Sequence, residues 1–176
     1  MTPILSLVGS SNSGKTTLME KLVRELTAKG LRIATIKHSH HQPELDTPGK
    51  DSWRHKQAGA VTSFLIGPQQ MMMVADVEEQ LNPNLLASRY CDDFDLVLVE
   101  GYNTLPGAKI EVLRAARSTT LRCAPEELIA LVTDVEEVQM VLPSDVLQTV
   151  PRFGLNDDQA VAALILAWLR QEACHG

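Results

Sequence analysis

The clearest chemical signal in the sequence is a phosphate-binding pattern near the N-terminus. Residues 9–16 are Gly-Ser-Ser-Asn-Ser-Gly-Lys-Thr, which fits G-x-x-x-x-G-K-[S/T]. The glycines let the backbone curl so that its N–H groups point at phosphate oxygens, and a helix beginning near Lys15 adds the positive end of its dipole. Lys15 would pair with the β- and γ-phosphates, and the Thr16 hydroxyl would bind Mg²⁺. A chance match in a Gly/Ser-rich turn is the alternative, but a strand before and a helix after favour a nucleoside triphosphate site.

A carboxylate that could serve the same metal ion follows another apolar segment. Residues 95–101 are Asp-Leu-Val-Leu-Val-Glu-Gly, so Glu100 stands where a buried strand ends and Gly101 permits close approach of a ligand. Phosphate-loop sites use such a carboxylate to hold Mg²⁺ directly or through a water molecule. Asp95 begins the strand and therefore lies at the opposite edge of the sheet, too far away to serve the metal ion. The alternative for Glu100 is an ordinary loop carboxylate.

The polar segment 37–51 contains three histidines, His38, His40 and His41. It follows the second strand, at the edge of the sheet where ligands bind in open α/β folds. In an extended chain His38 and His40 share a face and could bind a metal or an anionic group. A solvated polar loop is the alternative interpretation.

The same segment continues with Asp46 and with Pro-Gly-Lys-Asp at 48–51. Asp46 and Asp51 are candidates for outer contacts to magnesium or for a switch that senses the γ-phosphate. Lys50 could offset phosphate charge.

Two further groups of residues have open interpretations. Arg114, Arg117 and Arg122 could form a lid over phosphates or be scattered surface arginines. Thr133 and Asp134 follow a predicted strand and could read the base, or belong to a turn. The guanine-reading pattern Asn-Lys-x-Asp does not occur in the sequence.

The elements that must position these residues alternate between strands and helices. Apolar runs predict strands at 4–8, 31–36, 61–66, 71–74, 96–99, 109–113 and 128–132. Helical spacing predicts helices at 15–29, 51–58 and 78–88, and a last helix capped by Asn156 with an apolar stripe through Val161 and Trp168. Strand–helix–strand units require parallel pairing, whereas the turn at 67–70 predicts a hairpin. The predicted fold is an α/β sandwich in one domain, residues 1–176.

Composition excludes several classes of protein. The 176 residues are 44% hydrophobic and 22% charged, as expected of a globular domain. The net charge of −6 gives no overall attraction to nucleic acid or to an anionic membrane, so neither is an expected partner. Three scattered cysteines, no signal peptide and no membrane-spanning run predict a reduced, cytoplasmic protein without a disulfide framework or structural zinc.

Taken together, these motifs resemble the MobB family, GTP-binding adaptor proteins of molybdopterin-guanine dinucleotide synthesis. The match rests on the loop at 9–17, Ile-Lys-His-Ser-His-His at 36–41, Pro-Gly-Lys-Asp at 48–51, Leu-Val-Leu-Val-Glu-Gly at 96–101 and Ala-Lys-Ile-Glu at 108–111. The motifs come in the family's order and span residues 4–134. The first loop is shared with many unrelated NTPases, so the second and third motifs carry the resemblance.

The resemblance implies a P-loop NTPase fold with a mostly parallel sheet, flanking helices and a hairpin extension. It also implies GTP and Mg²⁺ as cofactors, weak hydrolysis, homodimers and a MobA-type guanylyltransferase as partner, with molybdopterin or its carrier enzyme as a further candidate. Lys15 and Glu100 are the predicted catalytic residues, and Thr16 and Glu100 the predicted metal ligands. The predicted nucleotide-binding residues are Gly9, Asn12, Ser13, Gly14, Lys15, Thr16, Thr17, Asp46, Pro48, Gly49, Lys50, Asp51, Glu100 and Gly101.

Three functions are therefore compared. The first is an adaptor with slow GTPase activity, in which nucleotide occupancy changes a loop that a partner reads. The second is a small-molecule kinase that uses ATP, with the arginines at 114–122 as its lid. The third is a metallochaperone that uses the three histidines. The chain shows no dedicated acceptor-binding domain, which favours the adaptor.

Overall fold

The computed structural model describes residues 1–39, 43–77, 81–136 and 144–175. The chain forms two compact units, of which the first combines Met1–His38 with Asn82–Gly176 and the second is Ser39–Leu81. The single domain expected for residues 1–176 stays a prediction.

The helices and strands alternate along the chain. The strands are β1 Ile4–Val8, β2 Ile33–Lys37, β3 Thr62–Ile66, β4 Met71–Ala75, β5 Leu96–Glu100, β6 Lys109–Leu113, β7 Leu128–Thr133 and β8 Arg152–Phe153. The α-helices are α1 Lys15–Ala28, α2 Asp51–Gln57, α3 Pro83–Tyr90, α4 Ser144–Thr149 and α5 Asp158–His175, and a 3₁₀ turn covers Pro125–Glu127.

The first unit contains a six-stranded sheet in the order β2-β5-β1-β6-β7-β8. Every neighbouring pair in it is parallel. Because parallel strands end at the same edge of a sheet, the loops after β1, β2 and β5 leave from one side. This arrangement brings the phosphate loop and Glu100 together, and it confirms the predicted α/β fold with a mostly parallel sheet and flanking helices.

Helices cover both faces of this sheet. On one face the buried leucines of α1, Leu18, Leu22 and Leu26, pack with α5 against the central strands. On the other face α3 packs against β5, and Val146 of α4 joins a cluster beside β6 and β7. The central strands are therefore buried on both sides, which explains their continuous apolar runs.

The second unit contains α2 and the antiparallel pair β3 and β4, which confirms the predicted hairpin. The side chain of Lys56 joins the helix to the hairpin, because its ammonium donates to the carbonyls of Ala60 and Val61 and pairs with Asp76 at 2.8 Å. Several large apolar side chains of the hairpin are exposed: Val61, Phe64, Leu65, Ile66, Met71 and Met73.

Two predicted helix starts were wrong. The helix predicted at 78–88 begins at Pro83, because proline fits the first turn of a helix and the Asn82 side chain accepts from Asn84 N at 2.9 Å; residues 78–80 lie outside the described ones. Asn156 does not precede α5 directly, since the helix begins at Asp158. Its side chain instead accepts from Lys21 Nζ at 3.1 Å.

Candidate functional site

The backbone after β1 takes the tight, curved path that phosphate binding requires. Gly9 has φ +136°, and a Cβ at this position would lie 2.4 Å from the carbonyl oxygen of Val112. Asn12 and Gly14 also have positive φ values, 59° and 103°, and turn the chain into α1. The first turn of α1 contains Lys15 and Thr16, so the positive end of the helix dipole faces the loop.

Lys15 folds back over this loop. Its ammonium donates to the carbonyl oxygens of Gly9 at 3.1 Å and Ser10 at 2.7 Å. Partial burial lowers the pKa of Lys15, while the nearby carboxylate of Glu100 acts in the opposite direction. The cation is thus held at the loop, where a phosphate would compete with neutral carbonyl oxygens for it.

Two serine hydroxyls of the loop also fit an anionic ligand. The Oγ atoms of Ser10 and Ser13 are buried, and neither has a hydrogen-bond partner among the described residues. Ser13 is 1% exposed. Buried hydroxyls are normally paired, so a phosphate group would supply the acceptors that these donors lack.

The residues predicted to serve magnesium are in direct contact. The Thr16 hydroxyl donates to Glu100 Oε1 at 2.7 Å, and Lys37 Nζ lies 3.3 Å from the same oxygen. A hydroxyl and a carboxylate match the oxygen ligands that Mg²⁺ prefers. No group of three His, Cys, Asp or Glu within the described residues could hold a metal alone. A metal here would therefore also need phosphate oxygens or water.

Gly101 and His38 complete this edge of the sheet. Gly101 has φ +93° and donates its N–H to the carbonyl of Leu7 at 3.0 Å. His38 N donates to the carbonyl of Glu100 at 3.1 Å, and the His38 ring lies 4.4 Å from that of Tyr102. His40 and His41 lie outside the described residues, so the three-histidine metal site stays a prediction.

Thr17 lies in α1, whereas the other predicted nucleotide-binding residues, at 46 and 48–51, belong to the second unit. Asp46, Pro48, Lys50 and Asp51 line a cavity of about 600 Å³ in that unit, and Gly49 has φ +84°. The Asp46 carboxylate accepts from the N–H of Thr47 at 2.7 Å. A role for these residues in nucleotide binding stays a prediction.

Asp134 holds a turn. Its carboxylate accepts from the N–H of Ala115 at 2.7 Å and lies 3.8 Å from Arg114 Nε. The neighbouring Thr133 hydroxyl accepts from the N–H of Val135 at 2.9 Å. These contacts favour the turn interpretation over base reading.

Three buried or partly buried charges, those of Lys109, Glu111 and Glu127, had no role predicted from the sequence, although Lys109 and Glu111 stand in the Ala-Lys-Ile-Glu motif of the family resemblance. Lys109 is 1% exposed, and its ammonium lies 2.5 Å from Glu127 Oε2 and donates to the Asn103 carbonyl at 2.8 Å. Glu111 is fully buried. The sequence pattern that could have indicated the buried charges is Lys-Ile-Glu-Val-Leu at 109–113, in which two charged residues alternate with apolar residues inside a central strand.

A protein-family model described as "Molybdopterin guanine dinucleotide synthesis protein B" matches residues 4–134. The chain belongs to this MobB family. The predicted family is therefore confirmed, over the same residues on which the resemblance rested.

Relatives match most of the chain. The molybdopterin-guanine dinucleotide biosynthesis adapter protein of Escherichia coli is 33% identical over 177 residues, which covers 98% of this chain and 96% of that protein. The protein of the same name from Haemophilus influenzae is 38% identical over 133 residues, 75% of each chain.

Solved MobB structures share the fold. The crystal structure of Bacillus subtilis MobB superposes with a TM-score of 0.71 at 27% identity, covering 94% of this chain and 96% of that one. A crystal structure of molybdopterin-guanine biosynthesis protein B gives a TM-score of 0.69 at 27% identity, covering 95% and 99%. The P-loop NTPase fold is thereby confirmed for this chain. No described helix has the length and apolar character needed to cross a bilayer.

Proposed function

We propose that this chain binds GTP with Mg²⁺ at residues 9–17 and Glu100, and acts as an adapter in the synthesis of molybdopterin-guanine dinucleotide. The observation that carries the proposal is the 2.7 Å hydrogen bond between Thr16 and Glu100. It joins the first turn after the phosphate loop to the end of a neighbouring strand. Phosphate-loop NTPases hold magnesium with a hydroxyl and a carboxylate from these two places.

Each residue of the site has a distinct role in this proposal. The backbone of the loop, with the buried Ser10 and Ser13 hydroxyls, binds phosphate oxygens, and Lys15 offsets the charge of the β- and γ-phosphates. Thr16 and Glu100 hold the metal ion. When bound, Mg²⁺ supplies positive charge next to the phosphate oxygens. Hydrolysis without a further supplied arginine is slow, roughly 10⁻⁴ to 10⁻² s⁻¹, which suits an accessory role.

The choice of GTP and of a partner rests on the family. The relatives in Escherichia coli and Haemophilus influenzae are named adapter proteins of molybdopterin-guanine dinucleotide biosynthesis. An adapter requires a partner enzyme, and a MobA-type guanylyltransferase is the partner that fits this pathway. Molybdopterin or its carrier enzyme is a further candidate. A cytoplasmic location is part of the same proposal.

The exposed hairpin supports a homodimer. Both strands of a two-stranded sheet have an unpaired edge, and such a sheet is marginally stable alone. On β3 and β4 the side chains of Phe64, Ile66 and Met71 are each more than half exposed. Pairing with a second copy would bury these side chains and satisfy an edge of the sheet.

The test of nucleotide binding is calorimetric titration with GTP and ATP, each with and without Mg²⁺, followed by single-turnover hydrolysis. We expect magnesium-dependent GTP binding with slow turnover. Lys15→Ala should remove binding, because charge-assisted phosphate contacts contribute roughly 1.5–3 kcal/mol each. Lys29→Ala, an exposed lysine at the other end of α1, is the matched control and should bind normally.

Three outcomes would contradict the proposal. Normal binding by Lys15→Ala would show that the site is assigned wrongly. A preference for ATP would contradict the GTP assignment. Turnover stimulated by a small hydroxyl acceptor would favour the kinase over the adapter.

Glu100→Gln separates binding from metal-dependent hydrolysis. The amide keeps the shape of the carboxylate but loses the negative charge next to the metal. We therefore expect a larger loss of Mg²⁺-dependent hydrolysis than of nucleotide affinity. Equal losses of both would argue against a catalytic role for Glu100.

A further inference from the structure

Glu111 is a fully buried carboxylate that the proposed mechanism does not use. Its two oxygens accept from the N–H of Arg122 at 2.7 and 2.9 Å, and one of them also accepts from the N–H and the thiol of Cys123 at 3.2 and 3.1 Å. Burial raises the pKa of Glu111, and these hydrogen bonds oppose the increase. Burying a carboxylate is costly unless it is hydrogen-bonded. The contacts of Glu111 therefore fix the backbone at residues 122 and 123.

This anchored segment lies beside the phosphate loop. Glu111 is opposite Val8 in the parallel pairing of β1 and β6, and Val8 is followed directly by Gly9. The carbonyl oxygen of Val112 approaches Gly9 so closely that no Cβ would fit there. Residues 122 and 123 are thus tied to the part of β6 that touches the start of the loop.

The Arg122 side chain is exposed and forms no ion pair with any residue that the structure describes. Burial and the charge of Lys37 lower the pKa of Lys15, and the positive charge of Arg122 adds to this lowering, so Lys15 and Arg122 lie near each other. Two cations held near each other repel, whereas an anion placed between them attracts both. The pair therefore favours a bound phosphate.

The other two arginines of the same segment are placed differently. Arg114 pairs with Asp134, with Nε 3.8 Å from Oδ2. Arg117 is exposed in a turn, and it is not among the charges that most affect the pKa of Lys15. The structure thus separates Arg122 from two arginines that the sequence does not distinguish from it.

We propose that Arg122 is a phosphate-binding residue that contacts the β- or γ-phosphate of the bound nucleotide beside Lys15, and that Glu111 is the positioning residue that holds it there. Guanidinium groups bind phosphate through two parallel hydrogen bonds, which a lysine cannot reproduce. The inference rests on the proposed nucleotide binding at residues 9–17.

The test measures Mg²⁺-GTP affinity for the wild-type chain, Arg122→Ala, Arg122→Lys, Lys15→Ala and the matched control Arg117→Ala. Loss of one charge-assisted contact should weaken binding by Arg122→Ala about 10-fold or more. Arg122→Lys should recover part of this loss, and Arg117→Ala should bind as the wild type does. The affinity of Arg122→Ala should also depend less steeply on salt concentration, because one charge that faces phosphate is gone.

The results distinguish this inference from the proposed function. Wild-type affinity in Arg122→Ala, with binding abolished in Lys15→Ala, would overturn the role of Arg122 and leave the phosphate loop assignment standing. An equal loss in Arg117→Ala would also overturn it, because the effect would then be one of net charge. A wild-type chain that binds no nucleotide would overturn both proposals.

The positioning role of Glu111 is tested by a double-mutant cycle with Glu111→Gln and Arg122→Ala. If Glu111 acts through Arg122, Glu111→Gln should weaken GTP binding in the wild-type background and have no further effect in the Arg122→Ala background. The same loss in both backgrounds would show that Glu111 supports the loop without positioning Arg122. Circular dichroism checks folding, and the exposed Arg122 variants test the phosphate contact even if Glu111→Gln unfolds.

Discussion

Substitution of Gly9 by alanine tests whether the phosphate loop is shaped by its contact with β6. The added Cβ would lie 2.4 Å from the carbonyl oxygen of Val112, and 3.3 Å from the carbonyl carbon of the same residue. Val112 belongs to a strand that is paired on both sides, with β1 and with β7. Because that strand cannot move without breaking its pairing, the loop must move instead.

The expected loss in the free energy of unfolding of Gly9→Ala has two parts. A non-glycine residue at φ +136° is strained, which costs about 1–3 kcal/mol. The overlap with backbone atoms adds about 1–3 kcal/mol, as for other overpacked sites. Gly30→Ala is the matched control, since Gly30 has φ +90° but no atom within 4 Å of the added Cβ. Only the first cost applies there.

The assay is thermal and urea unfolding of both variants, together with titration of Mg²⁺-GTP. The overlap should lower the Tm of Gly9→Ala below that of Gly30→Ala by roughly 2–12 °C, since about 2–4 °C corresponds to each kcal/mol in a chain of this size. Gly9→Ala should also lose GTP affinity, whereas Gly30→Ala should keep it. Equal stability of the two variants would refute the argument that the loop is confined by Val112.

Three further predictions concern the metal, acid stability and thiol chemistry. Thr16→Val should remove the hydroxyl that bonds Glu100 and reduce the Mg²⁺ dependence of GTP binding with little loss of stability; an unchanged Mg²⁺ titration would contradict the metal assignment. The hydrogen bond from the buried Lys109 lowers the pKa of Glu127 below its ordinary 4.5. The ionised Glu127 carboxylate therefore stabilises the folded chain above pH 4.5, and this stabilisation is lost as the pH falls through the lowered pKa. The difference in urea midpoint between the wild type and Glu127→Gln should therefore narrow below pH 4.5, and a constant difference down to pH 3 would exclude this contribution. Burial raises the pKa of the Cys123 thiol to about 12, so a thiol reagent at pH 8 should label the exposed Cys174 first, and faster labelling of Cys123 would contradict its buried position.

Elements with strong local patterns were predictable from the sequence. The bounds of β1 and β6 agree with the prediction to the residue, and α1 begins at Lys15 as expected. Short elements without a clear pattern were not predicted, namely α4 and β8. The two-residue strand Arg152–Phe153 exists only through its pairing with β7, and it is too short to show the alternation of apolar and polar residues that predicts a strand. The start of α3 was missed because the helix was predicted to run from 78 to 88 through Pro83, whereas this proline occupies the first turn of the helix.

The sequence by itself determined the phosphate loop, the carboxylate at the end of β5 and the family. The loop and the family motifs are contiguous runs whose chemistry depends on local spacing, and Glu100 follows from a short apolar strand. Only the tertiary structure showed that Thr16 and Glu100, 84 positions apart in the chain, are hydrogen-bonded. The tertiary structure also distinguished Arg122 from Arg114 and Arg117, because the buried Glu111 carboxylate accepts hydrogen bonds from the backbone N–H of Arg122. Such choices depend on which strands are neighbours, and pairing between distant strands leaves no periodic trace in a single sequence.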